Sequence, residues 1–312
     1  MMRMGFTTVV MVSSHASQLI QFYSELGWDV QADTIGEADF EYWNIPPDAT
    51  QMVRLSAPLT DSDILIICVS ENVPLLRPLD APLISPGGIF DINMRTKNAE
   101  YAYQFLEDHG WRPIMEPVPW TFGTSSVKEF LAIQDDGIVL AVMERISPPL
   151  EGPDFDRMSD IFNSTQVVED INRSTSFYDQ IGFSQFVDFR GPMPGDGGKV
   201  LELQNYPESQ SEVCLAITHP EQKMEGSIEL ISTPNIVMPA TEPTDFGRGL
   251  LALRIPSHDI EALYNLVQNT DPTIKIIAQL NTRKIGGRIE AGFSVISPDN
   301  ARLDFYQLRQ GE

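Results

Sequence analysis

Two patterns of apolar and polar positions run along the chain, and each occurs once in each half. In the first, a β-branched run at 7–12 or 163–168 leads into a stretch with apolar residues at helical spacing, which predicts a strand and then a helix. Both helices end alike, in FYSELG at 22–27 and FYDQIG at 177–182. The terminal glycine is the usual helix stop, so these segments indicate an internal repeat.

The second pattern predicts a strand at 91–96 with a helix at 100–109, and again a strand at 250–255 with a helix at 259–268. Each of these units closes in a hairpin whose turn carries Asp-Asp-Gly or Pro-Asp-Asn, residue types that tolerate positive φ. We therefore predict an α+β protein of four βαβββ units. Proline density favours a linker at 147–157, which divides the chain into domains at 1–146 and 158–312.

Charge and composition narrow the classes of partner. The chain has 21 Lys and Arg against 44 Asp and Glu, a formal charge of −23, which excludes a general nucleic-acid binder and disfavours anionic membranes. The aliphatic run 64–69 is too short to span a bilayer. Cys68 and Cys214 lie in apolar runs, which predicts buried free thiols. We expect a cytoplasmic protein, and a monomer rather than a homodimer, because four units complete two cavities in one chain.

The repeat resembles the vicinal-oxygen-chelate (VOC) superfamily, which includes glyoxalase I, extradiol dioxygenases and bleomycin-resistance proteins. Besides the two FYxx(L/I)G segments, the run PWTFG at 119–123, followed by Glu129-Phe130 and Asp135-Asp136-Gly137, is similar to motifs of that family. The resemblance covers nearly the whole chain. It implies two tandem VOC domains in which paired units form open half-barrels around a cavity.

The resemblance also implies positions for metal ligands, at the start of each unit's first strand and in its last strand. None of these positions holds histidine, and Leu250 and Ala141 cannot bind a metal, so we predict no metal and no other cofactor. The four histidines are expected to be structural or exposed. In this sequence, the residues at the family's metal-ligand positions are Thr8, Asp91, Asn163 and Leu250 in the first strands and Ala141 and Asp304 in the last strands.

Period-two alternation turns Asp91, Asn93 and Arg95 toward the cavity together. Two interpretations stay open: Asp91 and Arg95 form a structural ion pair, or Asp91 is a catalytic base with Asn93 and Arg95 as oxyanion donors. Aromatic residues in irregular segments either line the cavity or cover the hydrophobic face of the sheet. The predicted ligand-binding residues are Thr8, Tyr42, Trp43, Trp120, Phe122, Asn163, Arg254 and Asp304.

The sequence leaves two questions open. Either units one and two share a cavity, or unit one pairs with unit four and unit two with unit three. For function, we expect a metal-independent isomerase, lyase or dehydratase that moves protons on a small, largely apolar or aromatic molecule. The alternatives are a protein of the bleomycin-resistance type that sequesters a drug-like or cationic ligand, and a scaffold for protein partners.

Overall fold

The computed structural model describes residues 5–33, 35–47, 49, 51–150, 154–205, 212–234, 246–270, 274–285 and 287–309. The described part is a mixed α+β fold with four successive units. Unit one contains β1 (Thr8–Ser13), α1 (Ala16–Glu25), β2 (Asp29–Asp33), α2 (Glu37–Trp43), β3 (Gln51–Ser56) and β4 (Asp63–Cys68). Unit two contains β5 (Asp91–Thr96), α3 (Ala99–Asp108), β6 (Arg112–Pro113), β7 (Val118–Phe122), β8 (Ser125–Ile133) and β9 (Val139–Ser147). Unit three contains β10 (Met158–Val167), α4 (Ile171–Gln180), β11 (Ser184–Pro192), β12 (Glu212–His219) and β13 (Ser227–Ser232). Unit four contains β14 (Gly249–Pro256), α5 (Ile260–Thr270), β15 (Lys275–Ile285), β16 (Arg288–Ile296) and β17 (Arg302–Leu308).

The predicted βαβββ repeat is confirmed, with α2 and the short strand β7 as additions. In α1 and α4 the equivalent aromatic pairs, Phe22-Tyr23 and Phe177-Tyr178, are buried against the sheets. Gly27 and Gly182 have φ of 86° and 91°, a left-handed conformation that ends each helix without a Cβ clash.

Units from different halves of the chain share each sheet. Sheet one has the order β15-β16-β17-β14-β1-β4-β3-β2 and joins units four and one; sheet two has the order β11-β12-β13-β10-β5-β9-β8-β6, with β7 on β8, and joins units three and two. The first strands meet antiparallel at both junctions, with Val10 opposite Ala252 and Asn93 opposite Asn163. The partner-exchanged arrangement is therefore the one that the chain adopts, and both sheets remain open.

The predicted linker at 147–157 runs from the end of β9 to the start of β10, and its residues 151–153 lie outside the described residues. The domain division at this linker stays a prediction. The two cysteines are free, as predicted, but each is half-buried rather than buried. Within the described ranges, no helix has the length and apolar character needed to cross a membrane.

Candidate functional site

The concave face of sheet two encloses a cavity of about 290 Å³. Its walls are largely apolar and come from both units of the sheet. The indole of Trp120 and the ring of Phe122 stand on one side, and Phe122 packs edge-on against Phe189 of β11 at 5.3 Å between ring centroids. Further wall residues are Leu131, Val187, Val200, Leu215, Ile217 and Ile231. Trp120 and Phe122 therefore line this cavity, and their part in ligand binding stays a prediction.

Strand alternation places a row of polar residues at the bottom of this cavity. Asp91, Asn93 and Arg95 of β5 all line it, as the alternation predicted, while Ile92 and Met94 point into the core behind the sheet. Across the junction, β10 contributes Asn163 and Thr165. Two further acids come from the same sheet: Glu229 from β13, the neighbour of β10, and Glu129 from β8, which β9 separates from β5. We call Asp91, Glu129 and Glu229 the acidic floor.

Asp91 is held by hydrogen bonds from its own strand and from β10. Its Oδ1 accepts from Asn93 Nδ2 at 2.8 Å and from the backbone N–H of Thr165 at 3.1 Å. Burial raises the pKa of Asp91 to about 6, although these hydrogen bonds and the positive charge of Arg77 favour the ionised form. Asp91 is therefore a carboxylate at neutral pH but a much better proton acceptor than a solvated aspartate.

The other two acids hold protons more tightly. Burial raises the pKa of Glu129 to about 7, against a stabilising hydrogen bond from Trp120 Nε1 to Glu129 Oε2 at 2.9 Å. Burial raises the pKa of Glu229 to about 8, and the negative charges of Glu129 and Asp91 contribute to that rise. Because three acids with mutual repulsion share one apolar cavity, proton donors and acceptors coexist there near pH 7.

Arg95 forms its ion pair with Glu225 rather than with Asp91. Arg95 Nη1 lies 3.3 Å from Glu225 Oε1, and the guanidinium lies 3.8 Å from the centroid of the Phe162 ring. The interpretation of Asp91 and Arg95 as a structural ion pair is therefore wrong. The cation that influences Asp91 is Arg77, which comes from the segment between β4 and β5 and donates to the carbonyls of Ser85 and Pro82.

The concave face of sheet one is filled by side chains instead. Arg254 Nε donates to Asp304 Oδ2 at 2.6 Å, and its Nη2 lies 2.5 Å from Glu290 Oε1. Arg283 Nη2 donates to Asp304 Oδ1 at 3.1 Å, and Tyr42 donates its hydroxyl to the same carboxylate. We call these five residues the ionic cluster.

Five predicted ligand-binding residues lie in or beside the ionic cluster: Thr8, Tyr42, Trp43, Arg254 and Asp304. Thr8 sits on β1 opposite Arg254, and both are buried. Trp43 is 0 % exposed, and the guanidinium carbons of Arg254 and Arg302 lie 5.9 and 4.6 Å from the centroid of its ring. Trp43 therefore covers the hydrophobic face of sheet one. The structure therefore separates these residues from Asp91, Trp120, Phe122 and Asn163, which share the sheet-two cavity.

A larger groove of about 510 Å³ runs between the two sheets and includes Tyr42, Arg77, Leu250, Lys275 and Arg302. Its arginines are already engaged: Arg77 with backbone carbonyls, and Arg302 with the carbonyl of Tyr42 at 2.7 Å. The smaller cavity is the better candidate site because it combines apolar walls with titratable groups of shifted pKa.

The residues at the superfamily's metal-ligand positions do not fit a metal ion. Leu250 and Ala141 have no donor atom, and both oxygens of Asp304 are bonded to arginines. Within the described ranges, no three His, Cys, Asp or Glu side chains converge closely enough to hold one ion. All four histidines lie away from the cavity lining: His15 and His109 at helix ends, His219 buried at the end of β12, and His258 exposed before α5.

Comparison with known proteins identifies the fold. The sequence matches no protein-family profile, and no curated protein matches it. Among solved structures, glyoxalase I from Zea mays is similar at a TM-score of 0.62 and 15% identity, over 97% of this chain and 92% of that chain. A mutant form of the maize enzyme gives a TM-score of 0.66 at 14% identity, over 97% and 92%. A putative dioxygenase from Bacillus subtilis gives 0.60 at 12% identity, over 99% and 86%.

The protein therefore has the fold of the VOC superfamily. Within that class it has the tandem, four-unit form, since the similarity to the maize and Bacillus proteins extends over nearly the whole chain.

Sequence reasoning missed Glu229 and did not place Glu129 in the site. Glu129 entered only as part of a family motif. Glu229 is a single acid within the apolar strand β13, flanked by Ile228 and Leu230, and an isolated charge in such a strand was the available signal. Its proximity to Asp91 follows from the pairing of β10 with both β5 and β13.

Proposed function

We propose that the protein is a metal-independent enzyme that transfers protons on a small, largely apolar or aromatic molecule, as an isomerase, lyase or dehydratase. The observation that carries this proposal is the acidic floor, in which Asp91, Glu129 and Glu229 share one apolar cavity with pKa values raised to about 6, 7 and 8. General acid–base catalysis is most effective when the catalytic pKa lies near the working pH. We also propose that the protein works in the cytoplasm as a monomer, without nucleic-acid or membrane partners.

Each acid has a role that matches its preferred protonation state. Asp91, ionised at neutral pH, abstracts a proton from a carbon of the substrate. Glu229, protonated at neutral pH, delivers a proton to a second carbon in an isomerisation, or to a departing hydroxyl group that leaves as water in a dehydration. Either reaction leaves Asp91 protonated and Glu229 ionised, so one proton must pass between them before the next turnover. Glu129, whose pKa lies between theirs, is suited to carry it.

Asn93 and Arg95 take supporting roles in this proposal. Asn93 Nδ2 donates hydrogen bonds to Asp91 Oδ1 at 2.8 Å and to Thr165 Oγ1 at 3.2 Å. Asn93 is therefore a positioning residue for the base, Asp91. Arg95, paired with Glu225, is placed to contact the substrate at one end of the cavity.

Apolar walls are essential to this chemistry, because they exclude the water that would lower the pKa of the acids and screen their charges. The segment after β11 contributes Met193, Gly197, Val200 and Leu201 to the lining and lies against Trp120.

The proposal is tested by hydrogen exchange, which detects proton abstraction without knowledge of the natural product. The purified protein is incubated in D₂O with phenylacetone and ring-substituted relatives, and deuterium incorporation is followed by NMR. We expect exchange above the buffer rate that survives treatment with a chelator and falls about 100-fold or more in Asp91→Asn. Glu116→Gln, an acid outside the cavity, is the control.

Two outcomes of this experiment contradict the proposal: exchange that is unchanged in Asp91→Asn and Glu229→Gln, or exchange that disappears on chelation. Binding of the probes without any exchange supports the alternative function, a protein that sequesters its ligand. The acidic floor supports that alternative for a cationic ligand, because fixed carboxylates attract a cation whether or not it reacts.

A further inference from the structure

Two arginines line one end of the sheet-two cavity. Arg95 of β5 and Arg145 of β9 both belong to its lining, and strand pairing sets their relative position. Arg95 lies opposite Met143 in the parallel pair of β5 and β9, and Arg145 follows Met143 by two residues. Because residues two apart on a strand share a face, both arginines stand at the ends of these strands on the cavity side.

Asp91 and Glu229 lie at the opposite end of the cavity. Thr165 pairs with Asp91 on one side and with Glu229 on the other, so the three residues form one row across the sheet. Four residues of β5 separate Asp91 from Arg95, which corresponds to about 13 Å of strand. The cavity therefore has the proposed base at one end and positive charge at the other.

Arg145 carries a positive charge that no acid of the described residues balances at close range. Its Nη1 donates to Ser125 Oγ at 3.2 Å, and no described carboxylate lies within ion-pair distance of its guanidinium. Its Nη2 donates to no described group and, unlike its Nε, is not fully buried. A half-buried guanidinium in this state can still donate to an anion in the cavity that it lines.

Ser125 adds a second donor beside Arg145. Its hydroxyl oxygen accepts the hydrogen bond from Arg145, which leaves the hydroxyl proton available to an acceptor in the cavity that Ser125 also lines. Ser125 pairs with Phe122 between β7 and β8, so the two donors adjoin the aromatic wall. A planar guanidinium with a neighbouring hydroxyl group suits the two oxygens of a carboxylate.

The other charged groups at this end leave room for one negative charge. Arg95 is paired with Glu225, which is not part of the cavity lining, so Arg145 supplies the unbalanced positive charge. Glu129 lies in the same row of the sheet, opposite Met143, and its pKa of about 7 leaves it partly protonated at neutral pH. One positive charge matches a carboxylate better than a phosphate dianion.

We infer that the ligand of this cavity is an apolar or aromatic carboxylic acid, bound as its carboxylate by Arg145 and Ser125. Its apolar body contacts Trp120 and Phe122 and extends toward Asp91. The inference rests on the cavity of the proposed function and specifies its substrate class, with the ionised group and the reacting carbon at opposite ends of the molecule. It concerns binding and does not depend on turnover.

The size of the cavity limits the apolar body. A volume of about 290 Å³ lies at the lower end of the range for small-molecule sites, which suits one ring with short substituents.

The test compares phenylacetones that differ only in the group para to the ketone side chain. 4-(2-Oxopropyl)benzoate, its methyl analogue and its dimethylaminomethyl analogue are titrated into the wild-type protein at pH 7.5, and binding is measured by protein NMR shifts. We expect the carboxylate to bind about tenfold more tightly than the methyl compound, and the cation to bind most weakly. A methyl compound or a cation that binds as tightly as the carboxylate overturns the inference.

Two variants of Arg145 locate the carboxylate. In Arg145→Gln we expect the affinity for the carboxylate to fall about tenfold while that for the methyl compound changes little. Arg145→Lys keeps the charge and should retain a preference of about threefold, so it serves as the folded counterpart if the glutamine variant is unstable. Arg112→Gln, which removes an exposed arginine outside the lining, is the matched control. An unchanged preference in Arg145→Gln, equal loss of both compounds there, or no preference in Arg145→Lys contradicts the placement.

The result is separable from the proposed function. A carboxylate preference that depends on Arg145, without deuterium exchange in any of these ketones, would retain the inference and favour the sequestering alternative. Exchange that depends on Asp91, in a protein that binds the carboxylate and the methyl compound equally, would retain catalysis and refute the inference.

Discussion

Trp120 donates its indole N–H to Glu129 Oε2 across 2.9 Å, which joins the aromatic wall of the sheet-two cavity to its acidic floor. The position of the indole is fixed from the other side by Gly197, where an added Cβ would lie 2.8 Å from Trp120 Cε3. The wall that excludes water is therefore coupled to the protonation of one of the proposed proton carriers. This contact makes the site sensitive to a single methyl group in the segment after β11.

We predict that Gly197→Ala displaces the Trp120 indole and weakens its hydrogen bond to Glu129, because the new Cβ would lie 2.8 Å from the ring and real Cβ contacts are essentially never shorter than 3.0 Å. The pKa of Glu129 should then rise above about 7, since that hydrogen bond lowers it. Probe binding should weaken severalfold, measured by NMR titration. Gly198→Ala is the matched control, because its added Cβ meets Leu203 at an ordinary 3.5 Å. Equal effects of the two substitutions would refute the contact.

Glu229 should make the folded state less stable as the pH rises. Its pKa is raised from 4.5 to about 8 on folding, so between these values the folded state holds a proton that the unfolded state has lost. Stability is therefore full below about pH 4.5 and falls up to about pH 8, by on the order of 5 kcal/mol for this group. In urea denaturation, Glu229→Gln should show a smaller loss of unfolding free energy between pH 5 and pH 8.5 than wild type. Glu212→Gln, an exposed acid of β12, should match wild type, and an unchanged loss in Glu229→Gln would contradict the assignment.

The four-unit fold was predictable because its signals are local. The helix stops at Gly27 and Gly182 and the turns at Gly137 and Asn300 depend on backbone conformations that few residues adopt, and all four have positive φ in the structure. The choice of partner units was not predictable, because β1 and β5 alternate in the same way and either could pair with β10 or β14. Which units pair depends on long-range packing, so it cannot be predicted from any short segment of the sequence.

Arg77 lies outside the cavity lining and should lower the pKa of Asp91, the proposed base. Arg77 is half-buried, partial burial of its guanidinium lowers its pKa to about 10, and its charge lowers the pKa of Asp91. Arg77→Gln removes the charge, so the pKa of Asp91 should rise above about 6 and the acidic limb of the exchange-rate profile should move to higher pH. Arg77→Lys should preserve the wild-type profile in large part. Arg112→Gln, which removes an exposed arginine, is the control, and a profile that does not move in Arg77→Gln would exclude this role.

The ionic cluster should stabilise sheet one and should have no effect on ligand binding in the sheet-two cavity. Arg254→Met leaves Asp304 and Glu290 buried with Arg283 as their remaining arginine, and we predict a loss of about 3 kcal/mol of unfolding free energy in urea denaturation. Probe affinity should stay at the wild-type value, since the sheet-two cavity does not include this residue. Arg112→Met provides the exposed control. A loss below about 1 kcal/mol, or a large change in affinity, would contradict the separation of the two faces.

The candidate site was predictable only in part. Alternation along β5 placed Asp91, Asn93 and Arg95 inward, and the irregular segments around Trp120 and Phe122 indicated cavity walls. Tyr42, Trp43, Arg254 and Asp304 fitted the same rules, but the sequence could not show that they satisfy one another on sheet one. Glu229 was missed because its partners, Asp91 and Glu129, come from another unit, and the sequence did not reveal which units meet.

The central claim is that the sheet-two cavity holds three carboxyl groups that titrate near neutral pH. NMR titration of protein labelled with ¹³C at the Asp and Glu carboxyl carbons tests it directly, with Asp91→Asn, Glu129→Gln and Glu229→Gln used to assign the signals. We predict three signals with midpoints near pH 6, 7 and 8 that shift when any one of the three acids is replaced, as expected for coupled sites. A titration in which all three carboxyl groups ionise below about pH 5 would contradict the account.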